Sequence, residues 1–437
     1  MTPTTPVPSR KKQRWSWYLY DFGNSAYAAV VLLAVYSAYF KSEVVGGARG
    51  SFLWGISVGI AMLVVALLSP ILGSLADYAG TKKRLLFFYT AMACVFTACL
   101  FFVTKGAVVA GMALFILAEI GYRSAQVFYN SLLPEIASEA EIGRVSGNGW
   151  AIGSAGGVVC LVIVLALIQL IGGGLTIRLT LVFTAVYFAV FSAPIFLWLR
   201  ERPAVGSLPK GRSLLLLPFK RIAETMRAIR TYREFGKFII AFLVYNDGIL
   251  MTLSFAAIMG TVLFGMEQKE LILFMILVQI TSVPGAFVMG WVTDRLGARA
   301  SLLISLAGML GAVMWLYFNR SATGFYMIGA LAGFALTGVQ SVSRAMVGLL
   351  APAGRSAEFY GFFAVAGRTS SFIGPTVFGI IAARMAVVFQ NRGLLDLAAE
   401  QAGQRAAILS IAAFLLVGTL LLLLVNERAG RAAASTR

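Results

Sequence analysis

Gly73-Ser74-Leu75-Ala76-Asp77-Tyr78-Ala79-Gly80-Thr81-Lys82-Lys83-Arg84 and Gly290-Trp291-Val292-Thr293-Asp294-Arg295-Leu296-Gly297-Ala298-Arg299 carry one pattern twice, with Gly, Asp and Gly displaced by a constant 217 residues. A single GxxxDxxG has little weight, but two copies, each wedged between long apolar runs, mark an internal repeat. Each copy reads as a short turn between helices, where glycine lets backbone approach backbone. An aspartate there can cap a helix end or pair with a basic neighbour in one conformer and not in another. Such a contact works as a latch. The alternative is a plain turn staple that also signals topology.

Outward from these turns the chain is apolar: 59% of its 437 residues are hydrophobic, 12% are charged and mean hydropathy is +0.85. A soluble domain is roughly 25% charged. The deficit excludes a soluble enzyme, a disordered chain and a secreted disulfide scaffold, and leaves a polytopic membrane protein. Requiring about 20 mostly apolar residues per crossing predicts twelve helices, at 15–40, 51–75, 85–104, 107–130, 146–171, 179–199, 237–264, 271–292, 300–318, 323–349, 358–383 and 406–425. The first run is too long for a signal-peptide core and is expected to be retained.

Twelve crossings put both termini on one side. Loops on that side carry 24 Lys and Arg against nine on the other, so the positive-inside bias predicts cytoplasmic termini in an inner membrane. A pI near 10.1 would suggest nucleic acid, but the basic residues flank apolar runs and form no basic face of a folded domain. With no histidine, an imidazole cannot handle protons or ligate a metal. Any proton coupling must use a carboxylate. Cys94, Cys99 and Cys160 lie inside apolar runs without metal-ligand spacing and read as packing residues. No metal and no cofactor is expected.

The longest hydrophilic connection splits the chain into a six-helix bundle over 1–199, a linker over 200–236 and a second six-helix bundle over 237–437. Within the linker, Phe219, Ile222, Ala223, Met226 and Ile229 share one helical face and Lys220, Arg221, Glu224, Arg227 and Arg230 the other. This reads either as a basic amphipathic helix on the inner leaflet or as a solvated linker.

Six charged side chains fall inside spans: Asp21, Glu119, Arg123, Asp247, Arg344 and Arg368, whose signs sum to zero. Left facing lipid at mid-depth, each would cost about 2.5–3.5 kcal/mol or more, so they are expected to face one another or water. Glu119 and Arg123 are four apart and share a helical face; they form either a self-satisfying ion pair or a proton site tuned by the arginine. Asp21 is a helix-start cap or a solute contact, and Asp247 lies about 15 Å into its span at 1.5 Å per residue. Arg368 either binds a solute carboxylate through its planar fork or pairs with Asp247 or Asp21. Arg344, near the cytoplasmic end, snorkels or joins the gate. Asn24, Asn246 and Gln126 either hydrogen-bond solute or bond between helices. In span five, the spacing of Gly149 and Gly153 marks a helix-packing face.

The repeated turn resembles the signature loop of the major facilitator superfamily, of the form GxxxDRxGRR between helices two and three. The second copy keeps Asp294-Arg295; the first has Tyr78 in place of the arginine, which leaves Lys82 or Lys83 as its basic partner. Arg123-Ser124-Ala125-Gln126 looks like the RxxQ of helix four in proton-coupled members. Tyr20-Asp21-Phe22-Gly23-Asn24-Ser25-Ala26-Tyr27, Asn130-Ser131-Leu132-Leu133-Pro134-Glu135, Gly143-Arg144-Val145-Ser146-Gly147, Tyr245-Asn246-Asp247-Gly248 and Gln340-Ser341-Val342-Ser343-Arg344 resemble the vacuole-effluxer branch, named for an amino-acid-releasing fungal protein. The resemblance implies an all-α, 6+6 pseudo-twofold major facilitator fold. It implies a cavity built from helices one, four, seven and ten, and a cytoplasmic gate formed by Gly73, Asp77, Gly80, Lys82, Lys83, Gly290, Asp294, Arg295, Gly297, Arg299 and Arg344.

The function expected is secondary-active transport of a small polar solute, an amino acid or related zwitterion, by alternating access with carboxylate-based proton coupling. The chain has no GxxxxGK[ST] loop for ATP. It is expected to be monomeric, embedded in the bilayer and without nucleic-acid partners. A multidrug exporter and a solute receptor without turnover are the alternatives; a membrane enzyme lacks a reactive cluster.

Overall fold

The computed structural model describes residues 9–201 and 232–435, and among these every regular element is helical. The amphipathic stretch Phe219–Arg230 of the linker lies outside the described residues. Twelve helices are long and apolar enough to cross a membrane: Arg10–Val45, Leu53–Ala79, Lys82–Phe102, Val108–Ile136, Ile142–Ile171, Gly173–Trp198, Arg233–Phe264, Leu273–Leu296, Ala298–Phe318, Ala322–Leu350, Ser356–Asn391 and Asp396–Leu423. They are numbered here as spans one to twelve. Large apolar side chains stand on the outside, such as Leu67 and Leu170 at 64% and 85% exposed, where acyl chains replace water.

Helix lengths depart from the apolar runs where propensity outlasts hydrophobicity. Span eleven runs on through Ala-Arg-Met-Ala to Asn391, and span twelve starts at Asp396, well before the apolar stretch, because Ala, Leu, Glu and Gln favour helix. A further nine-residue helix, Glu427–Ser435, follows span twelve and buries Gly430 and Ala434. Span one is irregular without Pro at the irregularity: Ala28–Ala34 and Phe40–Val45 are π-helical, and the Val35 N–H donates to the Val30 carbonyl five residues back at 2.8 Å.

The chain gathers into two compact units, one of Met1–Glu139, Asn148–Glu224 and Gly354–Gly361, the other of Ala140–Gly147, Thr225–Ala353 and Phe362–Arg437. In the first unit, span one packs on six, two on four, three on four and three on six; in the second, seven packs on twelve, eight on ten, nine on ten and nine on twelve. The same pairs recur six spans later. The glycine row of span five lies against span one, with Gly149 at Trp17 and Gly153 at Asp21, where a Cβ would come within 2.9 Å of the carboxyl carbon.

A helix leaves four N–H and four C=O groups unbonded at its ends, and here distant side chains take several of them. In the first unit, Glu201 accepts from the Lys82 and Lys83 amides at 2.7 and 3.1 Å at the start of span three, while Lys83 Nζ donates to the Leu199 carbonyl at 2.7 Å, at the end of span six. At the opposite end of this pair, Arg178 of span six donates to the Phe101 carbonyl, 3.3 Å away at the close of span three. The second unit repeats the arrangement. Glu427 accepts from the Arg299 amide at 2.8 Å, Arg299 reaches the Leu423 carbonyl, and Arg405 donates to the carbonyls of Tyr317 and Asn319, each at 3.0 Å. Burial raises the pKa of the Glu201 carboxyl against the pull of its two amide donors.

Glu201→Ala and Glu427→Ala each remove a remote N-cap, so each is expected to cost about 0.5–2 kcal/mol and to lower the midpoint of thermal unfolding in detergent. The Gln variants keep an acceptor oxygen and should recover part of the loss. Unchanged midpoints in both Ala variants would show that the caps are idle.

Candidate functional site

The first unit places a polar group in the middle of spans one and four. Glu119 is fully buried, and Arg123, one turn later, donates from Nε to its Oε1 at 2.7 Å. The guanidinium sits over the Tyr122 ring, 5.2 Å from its centroid, and Gln126 Nε2 donates to the Tyr122 hydroxyl at 3.0 Å. Tyr27 of span one stacks on Tyr122 at 4.4 Å and brings its hydroxyl near Glu119. Asp21 and Asn24 are buried on the same helix as Tyr27. The four-residue spacing made the Glu119–Arg123 pair legible in the sequence. The two tyrosines that hold it had no such signal, because an aromatic in an apolar run looks like packing.

The second unit places Asn246 and Asp247 in span seven. Asn246 Oδ1 accepts from Gln340 Nε2 of span ten at 3.3 Å. Asp247 is fully buried, and its Oδ1 accepts from the Gly374 amide of span eleven at 2.7 Å. Pro375 follows, so the carboxylate caps a backbone amide where the helix ladder is broken. Gly374 has to be glycine here: a Cβ would meet the Asp247 carbonyl oxygen at 2.8 Å. Among the described residues, Asp247 makes no ion pair; Arg368 stands half-buried six residues before Gly374. Glu119 Oε2, Asn24 Oδ1 and Asp247 Oδ2 are buried without a hydrogen bond to any described residue.

The signature turns are built around their aspartates. In the first unit Asp77, buried, accepts through Oδ2 from the Glu358 amide at 2.8 Å, in the first turn of span eleven. Its basic partner is Lys82: Nζ lies 3.0 Å from Asp77, 2.7 Å from Glu135 and 2.9 Å from Ser356 Oγ, which donates to the Ser131 carbonyl at 2.9 Å. Lys83 serves the span-six carbonyl described above. In the second unit Asp294 accepts from the Arg144 amide at 3.1 Å, in the first turn of span five, and Arg144 Nε lies 3.7 Å from its other oxygen. The two aspartates do the same work, each capping the start of a helix.

The glycines divide by role. Gly73 and Gly290 admit a neighbouring backbone, the Ala357 carbonyl in the first unit and Gly143 in the second, whereas Gly80 and Gly297 have φ of 60° and 89° and turn the chain after spans two and eight. Arg295 stacks on Trp291 at 3.9 Å, and Arg299 belongs to the Glu427 cap. Arg344 is buried and donates from Nε to Ser146 Oγ at 2.9 Å and from Nη2 to the Ser146 carbonyl, while Ser146 Oγ donates to the Ser341 carbonyl at 2.7 Å. Ser146 and Ser356 thus repeat one contact, a serine early in spans five and eleven bonded to a carbonyl of spans ten and four. Sequence reasoning gave Ser146 and Glu135 no role, although both lie in stretches that carry the resemblance, and passed over Ser356 and the two capping glutamates, which lie in none.

With this geometry in hand, comparison with known proteins is direct. The sequence matches the family described as vacuole effluxer Atg22 like over residues 48–435. It is 27% identical to an uncharacterized MFS-type transporter, YxiO, of Bacillus subtilis, over 85% of this chain and 88% of that one. It is 28% identical to autophagy-related protein 22-1 of Penicillium rubens over 55% of this chain and 44% of the fungal protein, so less than half of that relative is spanned. Among solved structures, the human organic anion transporter MFSD10 shares the fold with a TM-score of 0.73 at 15% identity, covering 95% of this chain and all of that one. A bacterial homologue of the iron transporter ferroportin, in an outward-facing state, aligns with a TM-score of 0.67 at 14% identity, over 95% and 98% of the two chains. Relatives and neighbours alike are transporters, not enzymes. Twelve spans, a repeated signature turn and a repeated pattern of helix pairs agree with the match: the chain is a multi-pass membrane transporter with the major facilitator fold and belongs to the vacuole effluxer Atg22-like family.

Proposed function

We propose that this chain moves an amino acid or a related zwitterion across an inner membrane, with both termini cytoplasmic, by alternating access and coupled to protons. The observation that carries the reading is the set of buried ions with unspent capacity. Glu119 Oε2, Asn24 Oδ1 and Asp247 Oδ2 are enclosed yet unbonded among the described residues, and a buried polar atom left so is costly unless a solute, a water or a proton satisfies it. Arg123 and Arg368 supply cations for a carboxylate, and Glu119 and Asp247 supply anions for an ammonium group. A zwitterion fits that balance of two anions and two cations. Without histidine, Glu119 and Asp247 are the groups in the two polar clusters that can exchange a proton.

In this reading the signature turns form the cytoplasmic gate. Asp77 and Asp294 hold the first turns of spans eleven and five, whose remaining lengths belong to the other compact unit. Each cap holds a helix start whose span continues in the other unit, and on this reading the aspartates and the buried Lys82 and Arg344 bias which state is occupied.

In proteoliposomes, labelled amino acids are expected to show counterflow, and an imposed pH gradient should drive their accumulation. Asp247→Asn should abolish the accumulation and spare counterflow. Unchanged accumulation would remove Asp247 from coupling, and absence of counterflow for every amino acid tested would overturn the substrate class. Asp77→Asn and Asp294→Asn each weaken a charge-assisted cap worth roughly 1.5 kcal/mol, so each is expected to change the transport rate about tenfold with a smaller change in KM. An equal change in KM would place them at the solute instead.

A further inference from the structure

Outside the polar clusters, the first unit holds a cleft of about 470 Å3 between the start of span three and the end of span six. We propose that this cleft seats the phosphodiester headgroup of an anionic glycerophospholipid, with its acyl chains running down the aromatic wall below. Its lining has two chemistries, the polar and charged Thr81, Lys83, Arg84 and Glu201 and the aromatic Phe87 and Phe196. Arg84 and Phe87 are three apart, so cation and ring share one side of span three. Phe87 is 59% exposed and meets Phe196 edge to face at 5.2 Å. An exposed aromatic ring paired with a second one, beside an exposed guanidinium, suits an amphiphile better than a soluble anion, which would use the cations alone.

The cations are available. Arg84 is exposed and has no hydrogen bond or ion pair with any described residue, so its planar fork is unspent. Lys83 spends one of its three donors on the Leu199 carbonyl and keeps two. Glu201, also lining the cleft, would repel an anion, but both of its oxygens are bonded to the first amides of span three, where the positive helix end offsets its charge. The basic rim continues around the end of span six, where Lys12 lies over the Trp198 ring at 4.5 Å.

The internal repeat separates the cation the fold uses from the one it does not. A displacement of 217 residues carries Lys83 to Ala300 and Arg84 to Ser301, and in the second unit Glu427 keeps the cap while Arg299 takes over the carbonyl contact that Lys83 makes in the first. The staple uses one basic side chain in each unit; Arg84 is carried in addition. Lys and Arg near an anionic leaflet attract its lipids, and enclosure in a cleft adds geometric selection.

The test is native mass spectrometry of the full chain in detergent, titrated with phosphatidylglycerol or phosphatidylcholine, together with competition by glycerol 3-phosphate and inorganic phosphate. Phosphatidylglycerol is expected to be retained in preference to phosphatidylcholine. Arg84→Gln should weaken its binding about tenfold, as for loss of a charged hydrogen-bonding group, and Arg84→Lys should restore part of it. Arg428→Gln removes an exposed, unpaired cation of the other unit, away from the cleft, and should leave binding unchanged. Phe87→Ala should weaken lipid binding; because both positions are exposed, the unfolding midpoint without lipid should stay put. Equal losses in Arg84→Gln and Arg428→Gln would reduce the effect to general surface charge and overturn the site. Full displacement by inorganic phosphate would show a soluble-anion site and overturn the lipid assignment.

Discussion

A helix end packed among other helices has little water with which to satisfy its free backbone groups, and much of this structure answers that constraint. Glu201 and Glu427 close the starts of spans three and nine, Arg178 and Arg405 close their far ends, and Asp77 and Asp294 close the starts of spans eleven and five. Even mid-membrane the rule holds: Asp247 bonds the Gly374 amide where Pro375 interrupts the ladder. Among the buried carboxylates, Asp77 and Asp247 both serve as such remote caps.

The constraint also joins stability to conformational change. A cap contributed by the same helix would persist in every state, whereas a cap contributed by another span lasts only while the two spans stay in register. Those on spans three and nine come from helices packed alongside within a unit, and they make a rigid outer pair. Those on spans five and eleven act on short helix starts, Ala140–Gly147 and Gly354–Gly361, that cluster with one unit while the rest of each span clusters with the other. The buried Lys82, with Asp77 and Glu135 around it, reinforces such a start. A buried ion network of this kind adds little net stability, since desolvation offsets attraction. Its effect is to select among arrangements.

The polar clusters follow a different logic. Glu119 and Arg123 neutralise each other and still leave Glu119 Oε2 unspent, with the ring of Tyr122 beneath the guanidinium and Tyr27 stacked against it. The ion pair makes burial tolerable and the spare capacity makes it usable. The π-helical stretch directly after Tyr27 lies at the same level of span one, where a wider helical turn re-aims the side chains around it.

The amino-acid sequence by itself determined the class of fold, the number of spans, the repeat and the ion pair at Glu119 and Arg123. Each depends on a signal local to the chain: apolar length, a constant displacement of 217 residues, or a four-residue spacing on one helix. It could not choose between Lys82 and Lys83 as the partner of Asp77. It gave no sign of the capping roles of Glu201 and Glu427, nor of Ser146 and Ser356, nor of the π-helical turns of span one. The caps and serine contacts were decided by tertiary structure, because their partners are separated by 118 to 225 residues in the chain and meet only when particular helix ends are packed side by side; Lys82 is singled out by the distant Glu135 and Ser356 around it. A carboxylate announces its charge in sequence, but which helix end it closes depends on where the other helices stop.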